Sequence, residues 1–361
     1  MAWAIPQYER REVDAAGRVL AKAEFPVTDL ESLEALAVIN NWRSAHSYPL
    51  NTFQITLRRK GKNIERGVIV AQRIKRLESI HAKLSRHPSM RMSQMQDIAG
   101  CRAVFKTMNS VRRLVNKYRA SKFDHRLKGE KDYITHPKPD GYRCYHLMYE
   151  YQGTEANAAY TGTKVEIQIR TQLQHAWATA VEAVGIFTRQ ALKSNQGDPD
   201  WLRFFALMGA AIAAMEQCNP VPGTPTGKEE LVSELDDLVH KLHVQDVLRA
   251  YVASINYAGA AKDAKYFLLE LVLEPDVSVR ISRYKAKESE QANKQYTELE
   301  SALPDGSSTQ IVLVSVENIN ALRRAYPNYF LDTNIFSGLV TKVLDRDFPD
   351  PLLPQTTFPG A

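Results

Sequence analysis

The sequence predicts a mixed α/β (α+β) fold in two parts, and three features point to it. Helical and strand periodicities alternate from about residue 97 onward. The stretch Asn219-Pro-Val-Pro-Gly-Thr-Pro-Thr-Gly227 then interrupts them with a run of chain-breaking residues. Beyond it, the order ββαβα describes a smaller α/β domain. A chain of 361 residues has the length for about two domains. Its 44% hydrophobic and 24% charged residues are ordinary for a globular protein, which excludes a disordered, collagen-like or coiled-coil chain. The expected division is a first domain over 1–218, a linker at 219–227, a second domain over 228–348 and a Pro-rich tail over 349–361.

The first 90 residues read as helical. Asp29 is placed to cap a helix over Leu30 to Trp42, and Leu50 to Arg59 follows Pro49. From Glu65 to Leu84, apolar residues at Val70, Ile74, Leu77 and Leu84 recur at helical spacing, which predicts one helix closed by His87-Pro88. Arg73, Arg76 and Lys83 would share another of its faces, with Ser79 close by.

Character changes at Asp97. Ile98 to Phe105 is a short apolar run containing a glycine, a buried strand. Ser110 to Tyr118 is helical, and Asp124 to Asp140 reads as a charged loop with two prolines. Tyr142 to Tyr151 and Lys164 to Thr171 are strands; in the latter Val165, Ile167 and Ile169 alternate with Glu166, Gln168 and Arg170. Helices follow from Gln172 through Glu182 and from Trp201 to Glu216. After the linker come a helix over Glu229 to Tyr251, a hairpin (Tyr266 to Leu273 and Val277 to Tyr284, turning at Pro275-Asp276), a helix to Leu303, a strand at Ile311 to Val314 and a helix at Asn318 to Ala325.

The net charge of +6 is unevenly placed. Arg58 to Arg86 holds ten Lys or Arg against Glu65 and Glu78, a net +8 in 29 residues, so the remaining 332 sum to −2. Such a segment in a neutral background implies a polyanionic partner, a nucleoside triphosphate or RNA. Three cysteines (Cys101, Cys144, Cys218) offer no disulfide framework and no zinc knuckle. No apolar run reaches the roughly 20 residues of a membrane helix, and the start of the chain does not read as a secretory signal. A cytoplasmic protein with no membrane partner is expected.

Two carboxylates stand out, Asp97 at the start of one strand and Glu166 inside another. A carboxylate in a buried strand needs a cation or a metal, because an isolated buried charge is costly. Two of them beside a basic segment are suited to hold Mg²⁺ against phosphates while Arg and Lys neutralise the remaining charge.

The local strings then become specific. Arg73-x-Lys75-x-x-x-Ser79-Ile80-x-x-Lys83-Leu84, Met95-Gln96-Asp97-Ile98-Ala99-Gly100-Cys101-Arg102, Pro137-Lys138-Pro139-Asp140-Gly141-Tyr142-Arg143-Cys144-Tyr145-His146 and Glu166-Ile167-Gln168-Ile169-Arg170-Thr171 occur in that order. Together with Asp132-Tyr133-Ile134, they resemble the synthetase domain of the RelA/SpoT family over Arg73 to Glu182. The resemblance implies a nucleotidyltransferase-like mixed sheet flanked by helices. It also implies a pyrophosphokinase that moves the β,γ-pyrophosphate of ATP onto a ribose 3′-hydroxyl. By the same resemblance, Arg73, Lys75, Ser79, Lys83 and Arg102 bind ATP, with Arg73 and Arg102 flanking the adenine. Asp97 holds Mg²⁺, and Glu166 shares the metal or takes the proton of the attacking hydroxyl. Tyr142 stacks on the acceptor base, a contact worth about 1–3 kcal/mol. Lys138 and His146 bind acceptor phosphate, and Gln168 lies beside Glu166. Two departures from the family pattern are Asp140, where Asn is common, and Cys144, where Ser is common.

No His-Asp pair with the companions of the family's hydrolase is present, so the chain is expected to synthesise only. The layout is similar to fused toxin–antitoxin synthetases of the CapRel type. That resemblance implies a C-terminal regulatory or sensor domain that restrains the enzyme until a phage protein binds, and a toxic product pyrophosphorylated on tRNA. Three readings stand open: an alarmone synthetase using GDP or GTP, a tRNA-modifying toxin in phage defence, and an inactive nucleotide or RNA binder.

Overall fold

The computed structural model describes the chain except residues 1–2, 24–28, 122, 189–191, 193–196, 250–262, 273–277, 304–308, 316–328 and 352–361. It divides into two compact units: residues 1–133 with 144–171, and residues 134–143 with 172–361.

The first unit opens with three helices, α1 (Arg10–Lys22), α2 (Leu30–Ala45) and α3 (Ser47–Lys62). Asp29 caps α2 as expected, its carboxylate accepting the Ser32 N–H at 2.8 Å. A five-stranded mixed sheet follows, in the order β1 (Ile69–Ile74), β2 (Ala99–Phe105), β5 (Lys164–Thr171), β4 (Tyr145–Glu150), β3 (Arg126–Asp132). Only β2 and β5 are parallel; every other pair is antiparallel.

Two sequence expectations are corrected here. Residues 65–84 are not one helix: 69–74 form β1, and only α4 (Leu77–Arg86) is helical. Val68, Ile69, Val70 and Ile74 are β-branched, and Ile69 to Ile74 pair residue for residue with Val104 to Ala99. Nor is 124–140 all loop, because Arg126 to Asp132 form the edge strand β3. Its charged side chains are mostly exposed, and the strand is defined by backbone pairing to β4 rather than by an apolar face.

Period-2 alternation gives the sheet two unlike faces. Cys101, Ala103 and Phe105 of β2 and Val165, Ile167 and Ile169 of β5 point to one side and are buried. α3 and α5 (Met108–Arg119) pack against these strands. A second core joins Val13 and Leu20 of α1, Ile39 and Trp42 of α2, Ile80 and Leu84 of α4, and Ile98.

In the second unit, α6 (Gln172–Phe187), α7 (Pro199–Met215), α8 (Lys228–Lys241) and α10 (Tyr329–Leu344) share one core with the short helix 244–249. Asp198 caps α7 and Pro199 occupies its first turn. The stretch 219–227 connects α7 to α8 within this unit, with Val221 buried in the same core. The hairpin is present as β6 (Tyr266–Val272) and β7 (Ser278–Tyr284), and β8 (Thr309–Ser315) pairs with the other edge of β6. Phe267 and Leu269 face the helical core, whereas Leu268 meets Leu313 and Ala292 of α9 (Ser289–Ser301). The expected turn at 275–276 and the helix at 318–325 lie outside the described residues. α10 was not foreseen.

Candidate active site

Cross-strand pairing places the candidate residues on the sheet face opposite α3 and α5. Arg73 of β1 lies opposite Gly100 of β2, and Gly100 opposite Glu166 of β5. In the next row, Arg102 lies opposite Gln168, which in turn faces His146 of β4. Directly paired residues point to the same side, so Arg73, Arg102, Glu166, Gln168 and His146 share one face. Lys131 of β3, opposite His146, shares it too and was not foreseen. Gly100 sits between Arg73 and Glu166; a Cβ there would meet only the Glu166 carbonyl oxygen, at 3.9 Å. The absent side chain leaves the middle of the face open.

At one end of this face, Asp97 occupies the turn just before β2. Its two carboxylate oxygens accept from Lys75 Nζ at 2.8 Å and Lys83 Nζ at 2.9 Å. Lys75 follows β1, its N–H donating to Ile98 O at 2.7 Å, and its carbonyl accepts from Arg43 Nε at 3.0 Å. Burial and the charges of Arg73 and Lys83 depress the Lys75 pKa, although Asp97 opposes them. Burial alone would raise the Asp97 pKa; the two ammonium groups outweigh it and hold the carboxyl well below the usual range. Ser79 stands half-buried on α4, two helical residues after its start.

Glu166 is the second centre. Its Oε1 pairs with His146 Nδ1 at 2.8 Å, and its Oε2 accepts from Gln168 Nε2 at 2.8 Å. Gln168 Oε1 in turn accepts from Arg102 Nε at 3.4 Å. Burial pushes the Glu166 pKa up, but bonding to His146 prevails and lowers it; the negative charge of Asp97 works against that lowering. On His146, burial disfavours the imidazolium, while Cys144 and Glu166 favour it and raise its pKa. The Cys144 sulfur itself is buried and donates to backbone carbonyls of Tyr145 and Ile169.

Lys138 and Tyr142 fall in the second unit, on the segment 134–143. The Lys138 carbonyl accepts from Gly141 N at 3.0 Å, closing a turn with Pro139 second and Gly141 fourth. Asp140 Oδ1 accepts the Tyr142 N–H at 2.9 Å, so a carboxylate performs the local bonding an Asn would. The Lys138 ammonium lies 5.3 Å over the Tyr142 ring.

Residues 72–190 match the family described as "Region found in RelA / SpoT proteins". The chain carries a RelA/SpoT region. Two curated relatives are the GTP pyrophosphokinases YwaC and YjbM of Bacillus subtilis (strain 168), 37% and 34% identical over 112 residues. Those residues are 30% of this chain and 52% of each relative, so the chain spans about half the length of the curated relatives it matches. Among solved structures, small alarmone synthetase 1 of Bacillus subtilis bound to its product pppGpp aligns with a TM-score of 0.40 and 24% identity. That alignment covers 47% of this chain and 89% of that one. Small alarmone synthetase 2 of the same organism aligns at 0.40 and 26%, covering 48% and 91%. The RelA/SpoT region begins within β1 and contains Arg73, the two carboxylate centres and the 134–143 segment.

No group of three or more His, Cys, Asp or Glu able to hold a metal occurs among the described residues. Two carboxylates acting with phosphate oxygens and waters are nevertheless the donor set Mg²⁺ takes in phosphoryl-transfer sites. Asp97 stands just before β2, and Glu166 lies on the neighbouring strand β5 opposite Gly100 of β2. The residues present therefore fit that ion.

Proposed function

We propose that the chain is an ATP-dependent pyrophosphokinase. The observation that carries this reading is the open sheet face at Gly100, with guanidinium groups on β1 and β2, a buried carboxylate on β5, and the Lys75–Asp97–Lys83 cluster at its end. Arg73 and Arg102 provide planar cations for a purine and its phosphates. Lys75 and Lys83 add charge for the polyphosphate once it draws them from Asp97. Mg²⁺, when bound between Asp97 and Glu166, would neutralise charge on the transferred group. The acceptor 3′-oxygen attacks the β-phosphorus of ATP, the bond from that phosphorus to the α–β bridging oxygen breaks, and AMP leaves. The hydroxyl proton passes to Glu166, which is kept ionised by His146 and held in orientation by Gln168. Lys138 and Tyr142 serve the acceptor in this reading on the strength of their sequence motif.

The test is transfer of label from γ-labelled ATP with Mg²⁺ to GDP, GTP or bulk tRNA, for the full chain and Glu166→Gln. Transfer that disappears in Glu166→Gln is expected. Its absence from the unaltered chain with every acceptor would overturn the reading.

One observation favours RNA as acceptor. Arg58, Arg59 and Lys62 at the end of α3 and Arg112, Arg113 and Lys117 of α5 are all exposed. Among the described residues they make no ion pair. Lys60, hydrogen-bonded to Ser121 between these helices, has its pKa lowered by burial and by the charges of Lys117 and Arg59. This second basic surface covers the sheet face opposite the nucleotide residues, so it is available to a larger polyanion. Restraint by the chain beyond residue 227, and release by a phage protein, form part of this second reading on layout alone. α8 and α10 share a core with α6 and α7, so such restraint is best sought with point substitutions in the full chain.

A further inference from the structure

Segment 134–143 has no regular secondary structure between Ile134 and Arg143, yet it is fixed at both ends. Gly141 has φ +88°, and a Cβ there would lie 2.8 Å from Phe205 O. A Cβ on Gly209 would lie 2.7 Å from the Gly141 Cα. Backbone therefore rests directly on backbone, glycine against glycine, where the segment crosses α7. Two residues on, Arg143 turns inward and is 2% exposed. Its Nη1 donates to Gly209 O at 3.3 Å and its Nη2 to Asn219 O at 2.7 Å. Its Nε has no partner among the described residues. A buried guanidinium bonded to two carbonyls and no carboxylate is an expensive arrangement for stability alone.

Asn219 closes the arrangement. Its side-chain Nδ2 donates to Thr135 O at 2.6 Å, while its carbonyl receives Arg143. One residue thus grips both ends of the segment that holds Lys138 and Tyr142. Asn219 is itself set by the end of α7, where Gln217 takes the left-handed conformation at φ +50°. There Cys218 N donates to Ala213 O at 2.9 Å, which turns the chain out of the helix.

We propose that Arg143 is a positioning residue for the acceptor. With Asn219 it clamps the 134–143 segment to the end of α7, so that the orientation of Lys138 and Tyr142 depends on where the chain leaves that helix. The inference rests on the reading of Lys138 and Tyr142 as acceptor-binding residues. Displacing the Asn219 carbonyl would leave the buried cation with one partner, and the segment would shift to restore its bonding. Acceptor binding is thereby coupled to the stretch beginning at Asn219, whereas ATP binding is not.

The experiment compares the full chain with Asn219→Ala, which removes the bond to Thr135, and with Arg143→Gln and Arg143→Lys. Hydrogen exchange of peptides covering 134–143 needs no catalysis and tests the clamp by itself. Exchange there is expected to rise about tenfold in Asn219→Ala, the loss of one hydrogen bond. Exchange in α6 and α8 should stay unchanged. Steady-state transfer, with whichever acceptor the unaltered chain uses, should show an acceptor KM raised about tenfold and an ATP KM within about twofold. Arg143→Lys, which keeps the charge, should recover part of the loss seen in Arg143→Gln. Unchanged exchange over 134–143 in Asn219→Ala would overturn the clamp. Equal rises in both KM values would overturn the positioning role. Absence of transfer in the unaltered chain would instead count against the pyrophosphokinase reading, and the exchange result would still stand.

Discussion

Asp97 shows how a single side chain can hold a candidate site together. It neutralises two ammonium groups at a site where 19% of its own side chain and 11% of that of Lys75 are exposed. Removing it strands those cations beside each other, which in buried pairs costs about 3–5 kcal/mol. Lys83 is 31% exposed, so the low end, about 3 kcal/mol, is expected for Asp97→Asn. The pH dependence follows from the lowered pKa. Asp97 contributes its full stability above its unfolded value of about 4 and loses it as pH falls through the lower folded value. Urea unfolding of the unaltered chain and Asp97→Asn should therefore differ by a constant amount from neutrality down to about pH 4 and converge below it. A difference that already shrinks between pH 6 and 5 would contradict the ion-pair cluster. The motif strings already singled out Asp97, Glu166 and their cations as candidates. The pairing of Glu166 with His146 across two strands was not, because it depends on strand register, which is set by long-range contacts.

At the scale of elements, β1 and β5 fared differently for a physical reason. Over β5, from Lys164 to Thr171, apolar residues on one sheet face and polar residues on the other alternate in the sequence itself, and the strand has those bounds. Over β1 the apolar positions also fit a helical stripe, and only pairing to β2 decides between the two. The same holds for β3, an edge strand with no apolar face to announce it. Arg73 and Lys75 thus reach the site from a strand and the turn after it, not from one face of a helix, although the motif had already associated them. β2 carries a test of the open face. Gly100→Leu adds a side chain to a strand interior where its Cβ meets nothing closer than 3.9 Å. Strand propensity favours the change, so the melting temperature should hold or rise slightly. Transfer from ATP should fall by about a hundredfold or more, the scale of a misplaced reacting group, because the new side chain fills the space between Arg73 and Glu166. A folded, fully active Gly100→Leu would move the nucleotide site off this face.

Across the whole chain, the placement of charge carries most of the remaining functional information. The concentrated +8 segment seen in the sequence divides in the structure between two surfaces of the first unit. Arg73, Lys75 and Lys83 lie at the candidate sheet face and its end, while Arg58, Arg59 and Lys62 join Arg112, Arg113 and Lys117 of α5 behind it. The sequence joined the first two groups because they are near in the chain, and it hid the contribution of α5 because that helix lies some fifty residues on. Separate surfaces make separable phenotypes. Arg112→Glu/Arg113→Glu/Lys117→Glu reverses three exposed charges on α5 and alters none of the candidate nucleotide residues. If RNA is the acceptor, its binding should weaken steeply in this triple variant. The slope of log affinity against log salt should fall by about 0.7 to 0.9 for each phosphate that the variant no longer neutralises. Glu166-dependent transfer to GDP or GTP, where the unaltered chain supports it, should be unchanged within about twofold, because screening over a Debye length of about 10 Å isolates the far surface. RNA binding that is as strong and as salt-dependent in the variant would remove the back surface from the account and leave a guanosine nucleotide as the better-supported acceptor.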